Sequence, residues 1–97
     1  MMKKIYVDID GTICNTAEGR YETASPIPEH IEKINNMYKA GNYIVYYTAR
    51  GQRSGNDYYV LTLMQLHKWG CKFHELRMAK PDYDLMICDK TKRIEEI

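Results

Sequence analysis

The stretch Ile5-Tyr6-Val7-Asp8-Ile9-Asp10-Gly11-Thr12 decides how this chain is expected to fold. Four of its first five residues are β-branched or aromatic and Asp10-Gly11 is a turn signal, which predicts a short buried strand running into a tight loop. Side chains alternate along a strand, so Asp8 and Asp10 share a face and lie about 6–7 Å apart. Two carboxylates this close repel each other, and a charge inside an apolar run is costly unless it is paired. A hard divalent cation with oxygen ligands meets that requirement.

A β-hairpin is the alternative interpretation of this stretch. Asp-Gly between strand-like residues is also the commonest two-residue hairpin turn. Asp10 would then be a turn residue and Asp8 a charge at a sheet edge. The stretch by itself leaves both interpretations open.

Composition indicates one ordinary globular domain. The 97 residues suffice for a single core, so residues 1–97 are predicted to form one domain. A net charge of +1 offers no basis for a large basic surface, so a nucleic-acid partner is not expected. No apolar run approaches the roughly 20 residues that span a bilayer. The three cysteines have no C-x-x-C spacing, which is typical of reduced thiols and predicts a cytoplasmic protein.

Periodicity predicts alternating strands and helices along the rest of the chain. Pro28 fits the first position of a helix, and the glycines at 41 and 70 fit helix ends. In chain order we predict a loop or small flap (14–26), a helix from Pro28 to Gly41, a buried strand (43–48), a helix capped by Asn56 or Asp57 with Val60, Leu63, Met64 and His67 on its apolar stripe, an edge strand (71–78), a fourth strand (84–88) and a last helical turn (91–97).

Strands separated by helices of this length pair in parallel through right-handed crossovers. The predicted fold is therefore α/β, with a small doubly wound, mainly parallel sheet and flanking helices. The connection over residues 79–83 is shorter than the dozen or more residues that a parallel crossover needs. Either an extended segment makes that crossover, or one of the last two strands is not parallel.

Polar side chains are predicted to meet at the carboxyl ends of these strands, where such sheets bind ligands. The first strand supplies Asp8 and Asp10, the second Thr48 and the fourth Asp89, while Lys80 precedes the fourth strand. Carboxylates, a hydroxyl and an ammonium on one rim are typical of a magnesium-assisted phosphoryl-transfer site.

The same residues carry a resemblance to a known family. The chain resembles the haloacid dehalogenase (HAD) superfamily of phosphatases through four ordered motifs, Asp8-Ile9-Asp10-Gly11-Thr12, Thr48, Lys80-Pro81 and Ile87-Cys88-Asp89. The match covers essentially the whole chain. The interval 14–26 is too short to hold a cap domain, so the resemblance is to the capless branch with a Rossmann-like core. Close relatives often have two adjacent acids where this chain has Cys88 and Asp89, a departure that bears on metal affinity.

The resemblance implies a role for each matched residue. Asp8 would be the nucleophile that forms an aspartyl-phosphate, and Asp10 the general acid and base. Thr48 and Lys80 would bind the phosphoryl group. Asp8, the backbone carbonyl of Asp10, and Asp89 would hold Mg²⁺.

A capless relative has an open site, so something other than a cap domain must enclose its substrate. A neighbouring subunit in a homo-oligomer, the flap around Arg20 and Tyr21, or a bulky substrate would supply them. Arg50, Gln52 and Arg53 follow Thr48 closely and are either substrate contacts or solvated loop residues.

The first hypothesis for function is a Mg²⁺-dependent phosphatase acting on a small phosphomonoester. By analogy with capless relatives, a sugar phosphate is the leading substrate candidate. The second hypothesis is a phosphatase acting on nucleic-acid ends. The third is a non-catalytic module, either a receiver-like phospho-acceptor or a relative that only binds phosphate.

Overall fold

The computed structural model describes residues 2–17, 20–81 and 84–97. In chain order these residues form β1 (Lys4–Asp8), β2 (Cys14–Asn15), a 3-10 turn (Tyr21–Thr23), β3 (Ser25–Pro26), α1 (Pro28–Lys39), β4 (Tyr43–Tyr47), α2 (Tyr59–Lys68), β5 (Glu75–Arg77) and a second 3-10 turn (Ile94–Glu96). Strands β1, β4 and β5 make a parallel sheet in the order β1-β4-β5. Strands β2 and β3 pair antiparallel and form a small flap within the predicted loop. The chain therefore has an α/β fold.

The predicted first helix is confirmed. Helix α1 has Pro28 at its first position and buries Ile31 and Ile34 against the sheet. Gly41 follows with φ +98°, the left-handed conformation that commonly ends a helix. The predicted turn within residues 91–97 is also present, and its Ile94 is buried in the core.

Helix α2 turns a different face inward from the predicted one. Val60 and Met64 are each 65% exposed, whereas Thr62, Gln65 and Leu66 are buried. Thr62 and Gln65 point inward because they bind a buried arginine, and that polar requirement overrides the apolar stripe. The predicted cap at Asn56 or Asp57 is wrong, because the N-cap residue is Tyr58 and it makes no side-chain cap bond. Asp57 Oδ1 does accept the backbone N–H of Tyr59 over 2.9 Å.

One core lies on one face of the sheet. The inward residues of β1 and β4 contact Ile31 and Ile34 of α1, Leu66 of α2 and Ile94. Both helices therefore pack on the same side, and the expected doubly wound arrangement, with helices on both faces, is not what the described residues form. By register the opposite face carries Lys4, Tyr6, Asp8, Tyr43, Val45, Tyr47, Glu75 and Arg77.

The predicted fourth strand is wrong. Residues 84–88 form no strand, and Leu85 and Ile87 are 76% and 91% exposed. An apolar triplet gains strand structure only where a sheet or core buries it, and these side chains contact no such surface. The third strand is also shorter than predicted, since β5 spans only Glu75–Arg77. The uncertain 79–83 connection includes residues 82 and 83, which lie outside the described residues.

No described helix is long and apolar enough to cross a membrane. Cys14 and Cys71 are buried free thiols, and Cys88 is an exposed one.

Candidate functional site

Asp8, Thr48 and Lys80 converge at the carboxyl end of the parallel sheet. Asp8 ends β1 beside Tyr47, and Thr48 is the next residue after β4. The Thr48 N–H donates to the Arg77 carbonyl over 3.0 Å, and the Lys80 N–H donates to the Thr48 carbonyl over 3.3 Å. These bonds continue the β4–β5 pairing and carry Lys80 to the sheet edge. Together with Asp10 they line a pocket of about 300 Å³ whose other lining residues are Thr16, Ala17, Tyr21, Ala49 and Arg50.

Asp8 and Lys80 form an ion pair at the floor of this pocket. Lys80 Nζ lies 2.6 Å from Asp8 Oδ2, and the Lys80 side chain is only 8% exposed against 36% for Asp8. The other oxygen, Asp8 Oδ1, accepts the N–H of Ile9 over 2.8 Å. The ammonium also lies 5.1 Å from the centre of the Tyr47 ring. A partly exposed carboxylate is thus held beside a nearly buried cation.

Thr48 offers a hydroxyl to the same pocket. The residue is 1% exposed, and its Oγ1 accepts the backbone N–H of Arg50 over 3.1 Å. That bond uses a lone pair and leaves the hydroxyl hydrogen to donate to a bound oxygen.

Asp10 is held by an arginine that the sequence interpretation assigned elsewhere. Arg50 Nη2 lies 2.8 Å from Asp10 Oδ1, and Arg50 Nε lies 3.0 Å from Asp10 Oδ2, so the guanidinium binds both oxygens. Thr16 also donates to Asp10 Oδ1 over 2.6 Å. The Arg50 side chain has no exposed surface. It is therefore not a solvated loop charge, while its role as a substrate contact stays a prediction because Arg50 also lines the pocket.

The remaining donors of Arg50 reach helix α2. Arg50 Nη1 donates to Thr62 Oγ1 over 3.1 Å and to Gln65 Oε1 over 2.6 Å. Gln65 Nε2 in turn donates to the Tyr21 carbonyl over 2.6 Å, and the guanidinium lies 4.9 Å from the centre of the Tyr21 ring. Arg50 thus joins the loop after β1, the flap and α2.

The flap and loop residues play smaller parts. Arg20 and Arg53 are exposed and lie outside the residues that line the pocket. Gln52 Nε2 donates to the Met78 carbonyl over 2.7 Å and so supports the segment before Lys80. Gly51 has φ +86°, and an added Cβ there would overlap the Asn56 carbonyl oxygen, which explains why this loop needs glycine.

Burial by itself raises the pKa of Asp10. The hydrogen bonds from Arg50 and Thr16, together with the charge of Arg50, outweigh burial and hold the pKa of Asp10 below its ordinary value of 3.8. The carboxylate is therefore charged at neutral pH, and both of its oxygens are occupied. A general acid needs a raised pKa, so this arrangement opposes the acid role that the resemblance implies.

This lowered pKa predicts a pH-dependent stability. A group whose pKa is lower in the folded state stabilises that state above its unfolded pKa, and the contribution is lost as pH falls through the folded pKa. Asp10→Asn is expected to lower the free energy of unfolding at about pH 6, with a smaller deficit at about pH 3. Urea unfolding of both proteins across this range measures the difference. A deficit that does not change with pH would contradict the charged pair.

Two of the three predicted magnesium ligands come together, and the third does not. Asp8 and Asp10 line the same pocket, whereas Asp89 is exposed in a turn and does not line it. Asp8 Oδ2 is paired with Lys80, and Asp10 was expected to bind through its backbone carbonyl rather than through the carboxylate that Arg50 holds. Among residues 2–17, 20–81 and 84–97, no group of three His, Cys, Asp or Glu side chains could hold a metal ion. With Asp89 outside the pocket, the predicted ligands do not assemble into the octahedral oxygen cage that Mg²⁺ prefers, and magnesium dependence stays a prediction.

Several contacts of the site were missed from the sequence. Thr16, Thr62 and Gln65 bind the Asp10–Arg50 pair, and none of them was assigned a role. Tyr21, which was expected in the flap that walls the site, lines the pocket and contacts the Arg50 guanidinium. The available signal was in α2, where Thr62, Gln65 and Leu66 share one face at the i, i+3, i+4 spacing. Two polar residues beside a buried leucine indicate a buried polar partner.

The chain is similar to a crystal structure of a target protein from Vibrio cholerae. The two share 29% sequence identity, the match covers 98% of this chain and 86% of that chain, and the TM-score is 0.83. That structure carries no functional name, so the similarity supports the α/β fold and no activity. No protein-family model and no curated protein matches the sequence.

Proposed function

We propose that this protein is a phosphatase with a HAD-like core, which hydrolyses a small phosphomonoester with Asp8 as the nucleophile. The observation that carries the proposal is the 2.6 Å pair between Asp8 and Lys80 at the carboxyl end of the sheet, with the Thr48 hydroxyl in the same pocket. A receiver-like or binding module also fits a phosphate pocket, but the accessible carboxylate next to a cation favours transfer to Asp8.

The proposed reaction has two steps. A carboxylate oxygen of Asp8 attacks phosphorus, the ester P–O bond breaks, and the leaving oxygen takes up a proton. Water then attacks phosphorus, inorganic phosphate leaves, and the Asp8 carboxylate is regenerated. Lys80 and Thr48 would bind the phosphoryl oxygens, where a fixed cation and a hydroxyl donor offset the charge that develops in the transition state.

The donor of the proton to the leaving oxygen is a separate question, because Asp10 is engaged by Arg50. The resemblance gives it to Asp10, whereas the Arg50 guanidinium keeps that carboxylate charged and bound. In this arrangement Asp10 acts as a positioning residue, because it anchors the loop after β1 against Arg50. A donor role for Asp10 would require at least one of its oxygens to leave Arg50 or Thr16.

A small-molecule partner suits the site better than a polymer. The pocket of about 300 Å³ is at the lower end of ligand sites and holds a phosphate with a small organic group. Charges near it are already paired, since Lys80 binds Asp8 and Arg50 binds Asp10. The three free thiols also support a reducing compartment, which for this proposal is the cytoplasm.

The test is a panel of phosphate esters, with Lys80→Met and Lys92→Met as a matched pair. Wild-type protein is expected to release phosphate from at least one small ester, and kcat/KM is expected to fall by roughly a hundredfold or more in Lys80→Met. Lys92 is exposed and outside the pocket, so Lys92→Met is expected to retain wild-type activity. Each assay is run with Mg²⁺ and with a chelator, which tests the magnesium prediction separately.

Two outcomes would overturn the assignment. Wild-type protein inert toward sugar phosphates, aryl phosphates and a 3′-phosphorylated oligonucleotide would favour a binding module. Equal activity of Lys80→Met and Lys92→Met would remove Lys80 from the reaction.

A further inference from the structure

Strand β5 leaves one side of the sheet without a partner strand. The sheet order is β1-β4-β5, so the outer edge of Glu75–Arg77 pairs with no strand in the described part of the chain. An open edge is a template for pairing with another chain unless charge or a covering segment blocks it.

The charges on the β5 edge of one copy are complementary to those on the β5 edge of a second copy in antiparallel orientation. Glu75 and Arg77 lie on the same face of β5, and Arg77 Nη2 is 2.9 Å from Glu75 Oε1. If two copies pair antiparallel about a two-fold axis at Leu76, each Glu75 faces the other copy's Arg77 across the strands. A parallel in-register pairing, or an axis at position 75 or 77, would place like charges opposite each other.

The opposite face of β5 borders a groove of mixed polar and apolar lining that lies close to the same axis. Leu76 is the middle residue of β5 and lies beside a groove of about 370 Å³ between β5 and α2. Tyr59, Leu63 and His67 of α2 line the far wall of this groove, and Tyr59 is 43% exposed. A two-fold axis at Leu76 would bring Leu76 and the α2 helices of both copies together and close the groove.

We propose that two copies of this chain associate through antiparallel pairing of their β5 edges, with the two-fold axis at Leu76. The dimer has a continuous six-stranded sheet, two Glu75–Arg77 pairs on one face and a contact between the α2 helices on the other. The proposal does not depend on the catalytic assignment, since the interface and the Asp8 pocket use different residues.

Charge reversal tests this register directly. Wild-type protein is expected to be a dimer by sedimentation velocity and light scattering over a concentration series. Glu75→Arg and Arg77→Glu place like charges opposite each other in the homodimer, and each is expected to weaken self-association by roughly tenfold or more. Mixing the two variants restores opposite charges at both positions, so the mixture is expected to form a heterodimer.

Arg93 and Glu95 provide the matched control. They also form an exposed pair two residues apart, with Nε and Oε2 3.7 Å apart, but on the last turn of the chain. Glu95→Arg and Arg93→Glu are expected to leave the dimer unchanged, and circular dichroism checks the fold of all four variants. A monomeric wild type, a mixture that fails to associate, or equal effects in the control pair would each overturn the proposal.

Discussion

Asp8→Asn is expected to reduce phosphate release by about a thousandfold or more. The amide has the shape of the carboxylate but cannot form the acyl phosphate, and it no longer forms a charge pair with Lys80. Hydrolysis of an aryl phosphate, followed as released phosphate, gives kcat and KM for both proteins. We also expect a hydroxylamine-sensitive phosphoenzyme in the wild type and none in Asp8→Asn.

Asp57→Asn is the matched control for this change. Asp57 lies in an exposed loop and accepts the N–H of Tyr59, a bond that asparagine also makes. It is expected to retain wild-type activity. If Asp8→Asn keeps more than about a tenth of the wild-type rate, the covalent route through Asp8 is excluded.

Arg50→Met is expected to destabilise the fold by about 2–4 kcal/mol. Methionine fills a similar volume, but Asp10 loses both guanidinium bonds and the buried oxygens of Thr62 and Gln65 lose their donor. Removing one member of a buried charge pair leaves the other uncompensated. The midpoint of urea unfolding at neutral pH measures the change.

Arg20→Met separates this effect from a general loss of charge. Arg20 is exposed in the flap, so its replacement is expected to change the free energy of unfolding by less than about 0.5 kcal/mol. Arg50→Lys keeps the charge but cannot bind Asp10 with two nitrogens in a plane, so an intermediate loss is expected. Equal stability of Arg50→Met and Arg20→Met would contradict the role assigned to Arg50.

Local patterns were sufficient to predict the first half of the fold. The apolar run before Asp8, the proline at position 28 and the β-branched and aromatic run before Thr48 identified β1, α1 and β4. Each signal lies within one element, and each of these elements buries residues of its own apolar run in the core. Once parallel pairing was inferred, the convergence of Asp8, Thr48 and Lys80 followed from the geometry of the sheet.

The wrong predictions concern features that contacts between distant parts of the sequence determine. Residues 84–88 read as a strand by composition, yet nothing in the described structure buries them, and the expected position of Asp89 depended on that strand. The inward face of α2 was misassigned because the partner of Thr62 and Gln65, Arg50, precedes the helix in a polar loop. No local pattern reveals that a loop arginine turns inward.

The helix-free face of the sheet has a consequence for how so short a chain builds a complete interior. Val45 lies on that face and is nevertheless 0% exposed. Tyr43 and Tyr47 flank it along β4, and Tyr6 is its neighbour on β1, with the rings of Tyr6 and Tyr47 edge to face at 5.5 Å. Tyrosine rings are apolar on their faces, while their hydroxyl ends tolerate water. In the described residues, the sheet neighbours of Val45 on β1 and β4 are therefore side chains suited to shielding an aliphatic residue on a face that carries no described helix.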